Sequence, residues 1–215
     1  MKKWFVTVFS CLLLLNLVPT ETLYAAESKE KVVSVTSYGA DGTDQKTDTA
    51  AIQAALREVG AAGGGTVIVP KGKYYIDNYL LISSNTTLHL NDGAIITRSK
   101  DFTTIVDGTG LKKYQPMVKN YSGSDSQLKG KGYSYSNNIT IEGGTWDGNV
   151  DGKTSDKLGD IFQIYCANGI TIQNTTVKNV CGYHHMNFAS VKDVKVSQVT
   201  FSNFVKYKGT DYSTL

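Results

Sequence analysis

Asp160 to Phe204 contains one pattern written twice. Phe162-Gln163-Ile164-Tyr165 leads to Ile170-Thr171-Ile172 and then Thr176-Val177-Lys178-Asn179-Val180. Twenty-four residues on come Met186-Asn187-Phe188-Ala189, Val194-Lys195-Val196 and Thr200-Phe201-Ser202-Asn203-Phe204. A unit this short, built of strand-length pieces, cannot bury its own apolar face and must stack on a unit of the same kind. The pattern, apolar at x, x+2 and x+7, extends upstream. It fits Leu88/Leu90/Ile95, Ile139/Ile141/Trp146, Ile170/Ile172/Val177 and Val194/Val196/Phe201. The x, x+2 pair has the strand period, which puts both side chains on one face. Position x+7 opens another short strand after a turn. Asn138, Gly169 and Asp193 stand just before x and tolerate the bent backbone of a corner. Three short strands per rung, joined by corners, predict an all-β fold, a right-handed parallel β-helix whose hand follows the general bias of parallel crossovers. Strand period in every rung excludes a coiled coil.

Upstream, Val33-Ser34-Val35-Thr36 reads as a first strand and Tyr38-Gly39-Ala40-Asp41-Gly42 as a turn. Thr47 or Asp48 is placed to cap a helix from about Thr49 to Val59. Its Ile52, Ala55, Leu56 and Val59 fall on one face. Gly60 and Gly63-Gly64-Gly65 end it, Val67-Ile68-Val69-Pro70 follows as a buried strand, and Lys71-Gly72 turns into Tyr74-Tyr75-Ile76. The first rung of a β-helix exposes a backbone edge and an apolar cross-section. An amphipathic helix across that end covers both, and Ile52, Leu56 and Val59 are read as this lid. Ser84 to Thr97 is the next rung, and Pro116-Met117-Val118 carries another strand. Tyr121–Tyr135 reads as an excursion and Asn149–Leu158 as a polar insertion. Long excursions from a rigid stack are where function concentrates.

A chain of 215 residues is long enough for one domain with a real core. Its net charge of +3, with Arg57 and Arg98 the only arginines, gives no case for nucleic-acid binding. Residues 1–26 read as a signal peptide: Lys2-Lys3, the apolar run Trp4 to Val18, and a cleavage point at Ala25-Ala26. The run is short for a membrane span. Residues 27–215 are then expected to form a single secreted β-helix domain with no membrane partner after cleavage. Cys166 and Cys181 are fifteen residues apart, not one rung apart, and so read as buried thiols rather than as a disulfide.

Three stretches carry a family resemblance. They are Val35-Thr36-Ser37-Tyr38-Gly39-Ala40-Asp41-Gly42-Thr43-Asp44, Thr47-Asp48-Thr49-Ala50-Ala51-Ile52-Gln53-Ala54-Ala55, and Gly63-Gly64-Gly65-Thr66-Val67-Ile68-Val69-Pro70-Lys71-Gly72-Lys73-Tyr74. Together they resemble the N-terminal segment of pectin-lyase-like β-helix proteins. More narrowly they resemble polygalacturonase-type glycoside hydrolases and rhamnogalacturonase/epimerase-like pectate lyase domains. Ile139-Thr140-Ile141-Glu142-Gly143-Gly144-Thr145-Trp146-Asp147-Gly148-Asn149 is similar to the segment that precedes the catalytic rungs there. The resemblance implies an extracellular carbohydrate-active protein. The hydrolases it points to use an Asn-x-Asp element and an Asp-Asp pair, followed by Gly-His and Arg-x-Lys motifs. This chain has no Asp-Asp and no Gly-His, and no Arg-x-Lys follows its repeats. The resemblance therefore implies the front portion of such a protein, truncated at its C-terminal end, with the catalytic rungs beyond Phe204.

Glycosidic hydrolysis uses a carboxyl pair, held about 6.5–9.5 Å apart in inverting enzymes, and neighbouring rungs, about 4.8 Å apart, can supply such a spacing. The acids near the regular rungs are Asp147, Asp151, Asp156 and Asp160, and Asp160, just before a strand, is the candidate catalytic residue. With Met186 and Phe188 inward, strand alternation turns His185 and Asn187 outward, above Gln163 and Tyr165. Gln163, Tyr165, His185 and Asn187 are thus the expected substrate contacts, a mixture suited to hydrogen bonding and stacking against sugar. His184 and His185, as strand neighbours, point to opposite faces and cannot grip one ion, so no metal and no cofactor is expected. The expected partner is a polysaccharide, an acidic plant or bacterial glycan. The reading is a polysaccharide hydrolase. A non-catalytic carbohydrate-binding adhesin or tailspike-like β-helix, or a polysaccharide lyase, stands as the alternative.

Overall fold

The structure, a computed structural model, describes residues 30–106, 112–122, 125–150, 154–155 and 159–207. The expected signal peptide and the candidate acids Asp151 and Asp156 lie outside them. The elements in chain order are β1 (Val32–Ser34), a 3-10 turn (Val35–Tyr38), α1 (Thr49–Ala61), β2 (Gly65–Val69), β3 (Gly72–Ile76), β4 (Leu80–Leu81), β5 (Thr86–Arg98), β6 (Thr104–Val106), β7 (Lys112–Tyr114), β8 (Val118–Lys119), a second 3-10 turn (Asp125–Leu128), β9 (Ser136–Asp147), β10 (Thr154–Ser155), β11 (Phe162–Cys181) and β12 (Met186–Tyr207).

Apart from the small antiparallel hairpin β6–β7, the strand pairings among the described residues are parallel. They form a right-handed parallel β-helix with three walls. The first wall runs β1, β2, the start of β5, β9, β11 and β12. The second stacks β3, the end of β5, and the later parts of β9, β11 and β12. The third stacks β4, β8, Phe162–Tyr165 and Met186–Ala189. Inside, Ile139, Ile170 and Val194 fall in one column, Ile141, Ile172 and Val196 in the next, and Trp146, Val177 and Phe201 in a third.

The lowest match of the sequence template is displaced. Leu88 stacks under Ile141, not under Ile139, and Ile96 rather than Ile95 lies beneath Trp146. Ile96 is fully buried, while Ile95 is only partly so. The cause is an insertion: Asn91 to Ala94 separate Leu90 from Ile95, where β9 has only Gly144 between their partners Gly143 and Thr145. A template of fixed spacing cannot see it.

The corners are single left-handed residues. Cys166, Gly169, Asn174 and Asn179 bend β11, and Ser190, Asp193, Gln198 and Asn203 bend β12 one rung later, all with positive φ. The left-handed region costs an L-residue about 1–2 kcal/mol, and amide stacking offsets part of that cost. Asn203 Nδ2 donates to Asn179 Oδ1 at 3.1 Å, as the one-rung spacing predicts, and Asn138 Nδ2 donates to Asn85 Oδ1 at 3.0 Å. At Gly169 a Cβ would lie 2.8 Å from Asn138 Oδ1, so a side chain there would displace the Asn138 amide.

The helix closes one end. Ile52, Ala55, Leu56 and Val59 of α1 are buried against the first rung. Buried Gln53 acts as a strand edge would: its amide donates to Leu81 O at 3.1 Å and accepts from Leu81 N at 2.7 Å. Asp48 precedes the helix without capping it. Its carboxylate instead accepts from Asp41 N (2.8 Å) and Tyr75 N (3.1 Å), and burial holds its pKa above the usual carboxylate range against those bonds. The first strand is shorter than its sequence suggests, because Ser34 Oγ accepts from Thr36 N and starts a 3-10 turn at Val35. At the opposite end the inward residues of β12 are open: Val194, Val196, Phe201 and Phe204 are 41–54% exposed, whereas their partners in β11 are fully buried. Cys166 and Cys181 are buried and form no disulfide.

Candidate functional site

The third wall is where the chain leaves the regular rungs. It enters each strand of that wall from a longer connection, so residues just before β8, β11 and β12 share one rim. Asp160 and His184 meet there because they are one rung apart. Asp160 is 2% exposed. Its Oδ1 accepts from the His184 backbone N at 2.9 Å and contacts His184 Nδ1 at 3.0 Å. Its Oδ2 accepts from Gln163 Nε2 at 3.3 Å and Asn187 Nδ2 at 3.0 Å. With the proton on Nδ1, the exposed His184 ring keeps a lone pair on Nε2.

Beside the dyad lies a layer of aromatic rings and amides. Asn187 Nδ2 also donates to Tyr165 Oη at 3.0 Å, and Tyr121 Oη donates to Gln163 Oε1 at 2.6 Å. The Tyr121 and Tyr165 rings stack with centroids 5.5 Å apart and planes 14° from parallel. Asn120 fixes the strand from outside, accepting from Tyr165 N and donating to Tyr165 O and Ser136 Oγ. Lys119, buried in the same column as Gln163 and Asn187, holds its ammonium 3.9 Å from the Tyr79 ring centroid and 5.0 Å from that of Tyr121. Beneath, the fully buried Arg98 donates to the carbonyls of Asp160 and Gln115.

Of the residues expected from the sequence, Asp160, Gln163, Tyr165 and Asn187 come together. His185 does not join them. Its ring turns over the open end of the helix, 5.3 Å from Phe201 and 6.5 Å from Phe204, with Nε2 3.3 Å from Ser202 O. Burial holds its pKa below the ordinary histidine value. Strand alternation does not hold at His185, because β12 begins only at Met186 and the segment before it turns at Gly182 (φ +62°). His184 takes the position that alternation assigned to its neighbour. The two imidazoles diverge, and among the described residues no group of three or more His, Cys, Asp or Glu side chains converges on a metal position.

Sequence reasoning missed His184, Lys119, Tyr121 and Arg98. A signal was available for the first, since the register that pairs Gln163 with Asn187 also sets Asp160 beside His184. Arg98 closes β5 with its side chain buried. Two short elements of the resembled hydrolases also occur away from their usual order, Asn149-Val150-Asp151 and Arg98-Ser99-Lys100. The second places its arginine under Asp160.

Residues 32–211 match the family described as rhamnogalacturonase A/epimerase, pectate lyase-like. The chain is 29% identical to plasmin and fibronectin-binding protein A of Streptococcus pneumoniae over 85% of its own length and 26% of that protein. It is 28% identical to alginate lyase 7 of Azotobacter vinelandii over 70% of its length and 17% of that protein. The crystal structure of PfbA, a surface adhesin of Streptococcus pneumoniae, superposes with a TM-score of 0.66 at 26% identity, covering 84% of this chain and 40% of that one. The chain thus spans about a quarter of the first of these relatives. A three-walled parallel β-helix capped by α1, matched over residues 32–211, makes this chain a member of the rhamnogalacturonase A/epimerase, pectate lyase-like family.

Proposed function

We propose that the third wall binds an acidic polysaccharide and that His184, held by Asp160, moves a proton in its cleavage. The observation that carries this reading is the buried Asp160 carboxylate fixing an exposed imidazole next to the Tyr165 hydroxyl. Paired-carboxylate hydrolysis fits this face less well. Asp160 is its one carboxylate among the described residues, and four donors already engage it. A base and a hydroxyl on one face suit elimination instead. His184 Nε2 takes the proton from the ring carbon that bears the uronate carboxylate. The electron pair left behind forms a carbon–carbon double bond as the neighbouring glycosidic C–O bond breaks. The leaving oxygen takes the proton of the Tyr165 hydroxyl, which Asn187 Nδ2 positions at 3.0 Å. The partly exposed Tyr165 ring edge and the Asn187 amide contact the sugar. The similarity to an alginate lyase supports chemistry of this class.

Binding without turnover is the second reading, supported by the similarity to a surface adhesin. One experiment separates the two. The chain is incubated with pectate and with alginate, and the ultraviolet absorbance of unsaturated products is followed beside binding. Elimination predicts absorbance growth that His184→Gln abolishes while binding persists. Binding with no absorbance change favours the adhesin-type reading, and no binding to either polymer contradicts both.

A further inference from the structure

Between the candidate site and the capping helix the third wall descends rung by rung to a cleft. Asn187, Gln163, Lys119 and Leu81 occupy one column of the third wall in successive rungs. Three rung steps, about 14 Å in all, therefore separate the plane of Asn187 from that of Leu81. Below Leu81 lies α1, tied to it through Gln53. Between α1 and Asp77–Leu81 sits a cleft of about 520 Å³, within the range of small-ligand sites. Tyr79 lines it, and the other side of the Tyr79 neighbourhood is the Lys119 ammonium of the candidate site. Tyr79 thus stands between the cleft and the candidate site.

Arg57 closes the far end. It is exposed on α1, lines the cleft, and has no ion-pair partner among the described residues. Asp77 lines the same cleft without pairing with it, its Oδ1 accepting instead from the Thr49 hydroxyl at 2.6 Å. A planar guanidinium facing a concavity, with acceptors and hydroxyls opposite, is suited to a sugar that carries both a carboxylate and hydroxyl groups. The rung spacing, about 4.8 Å, is close to the advance per residue of an extended glycan, so one chain can lie along the column and keep contact at both ends.

We infer that Arg57 and the cleft between α1 and Asp77–Leu81 form a distal subsite for a uronate carboxylate, several sugar residues away from the one at His184. The inference rests on the acidic-polysaccharide reading of the third wall and adds its reach and direction: the glycan lies along the β-helix axis, one end toward the cap. Its test is calorimetric titration of the full chain with trimeric and octameric oligouronates of the galacturonate and mannuronate series. The wild type binds the octamer more tightly than the trimer. Arg57→Glu weakens octamer binding by about tenfold or more, the scale of one charge-assisted hydrogen bond, and leaves trimer binding and the thermal midpoint unchanged. Arg57→Lys retains most of the octamer affinity. If Arg57→Glu leaves octamer binding intact, or weakens both lengths equally, the subsite is wrong while the third-wall reading stands. If the wild type binds no oligouronate of either length, both fall.

Discussion

Asp160 serves two ends at once. Its oxygens satisfy four donors from three residues, and the same bonds set the His184 ring. Replacing it with Asn turns an amide N–H toward donors that need an acceptor. Asp160→Asn is therefore expected to cost about 1–3 kcal/mol of stability, measured by urea unfolding, and to abolish product formation. His184→Gln behaves differently, because that side chain is 61% exposed. It loses turnover with a stability change below about 1 kcal/mol. A similar stability loss in both variants would mean that the dyad is merely structural. Glu142, on the first wall, has a separate role: Gln173 first, and then His89, hold its carboxylate below the ordinary glutamate pKa (2.7 and 2.8 Å).

At the scale of the element, the glycines decide where a rung can close. Gly143 has φ +75°, and a Cβ there would lie 2.0 Å from Leu90 O. Gly143→Ala is expected to lower stability by about 1–3 kcal/mol, through backbone strain and forced separation of β5 from β9. Thermal unfolding checks it, and an unchanged midpoint would show that the rungs are not packed this closely. Much of this level was legible in the sequence. The x, x+2, x+7 columns follow from the spacing shared within the rungs of β9, β11 and β12, and the Asn179–Asn203 corner from the twenty-four-residue step between the last two, because parallel in-register stacking places like on like. Gly42 and Gly72 also make sense of the N-terminal resemblance: a Cβ on Gly42 would sit 2.7 Å from the Tyr74 ring and 2.8 Å from Gly72 Cα. What did not follow was any departure from the period. The Asn91–Ala94 insertion shifted the lowest match of the template, and His184 and His185 fall before β12 begins, where strand alternation does not apply. Lys119 and Tyr121 lie in irregular sequence, where no repeat marks which side faces the groove.

For the molecule as a whole, the two ends are unequal. α1 covers one, while Val194, Val196, Phe201 and Phe204 form an apolar rim at the other, with His185 among them. His185 has a folded pKa lowered by burial, so between that value and its ordinary value near 6.5 the unfolded chain binds more protons than the folded one. Stability is accordingly full above pH 6.5 and declines as pH falls through this window. His185→Phe is expected to remove that part of the decline in a pH series of unfolding midpoints, and an unaltered slope would place the titration elsewhere. Asn187, Gln163, Lys119 and Leu81 line up rung by rung from the candidate site toward α1, and an acidic glycan is proposed to lie along this wall. The most direct measurement is a crystal structure of the chain with an oligouronate. Sugar rings are expected along the third wall, one of them between His184 Nε2 and Tyr165 Oη. An oligomer bound instead in the outer groove beside His89 and Glu142, with the third wall empty, would contradict it.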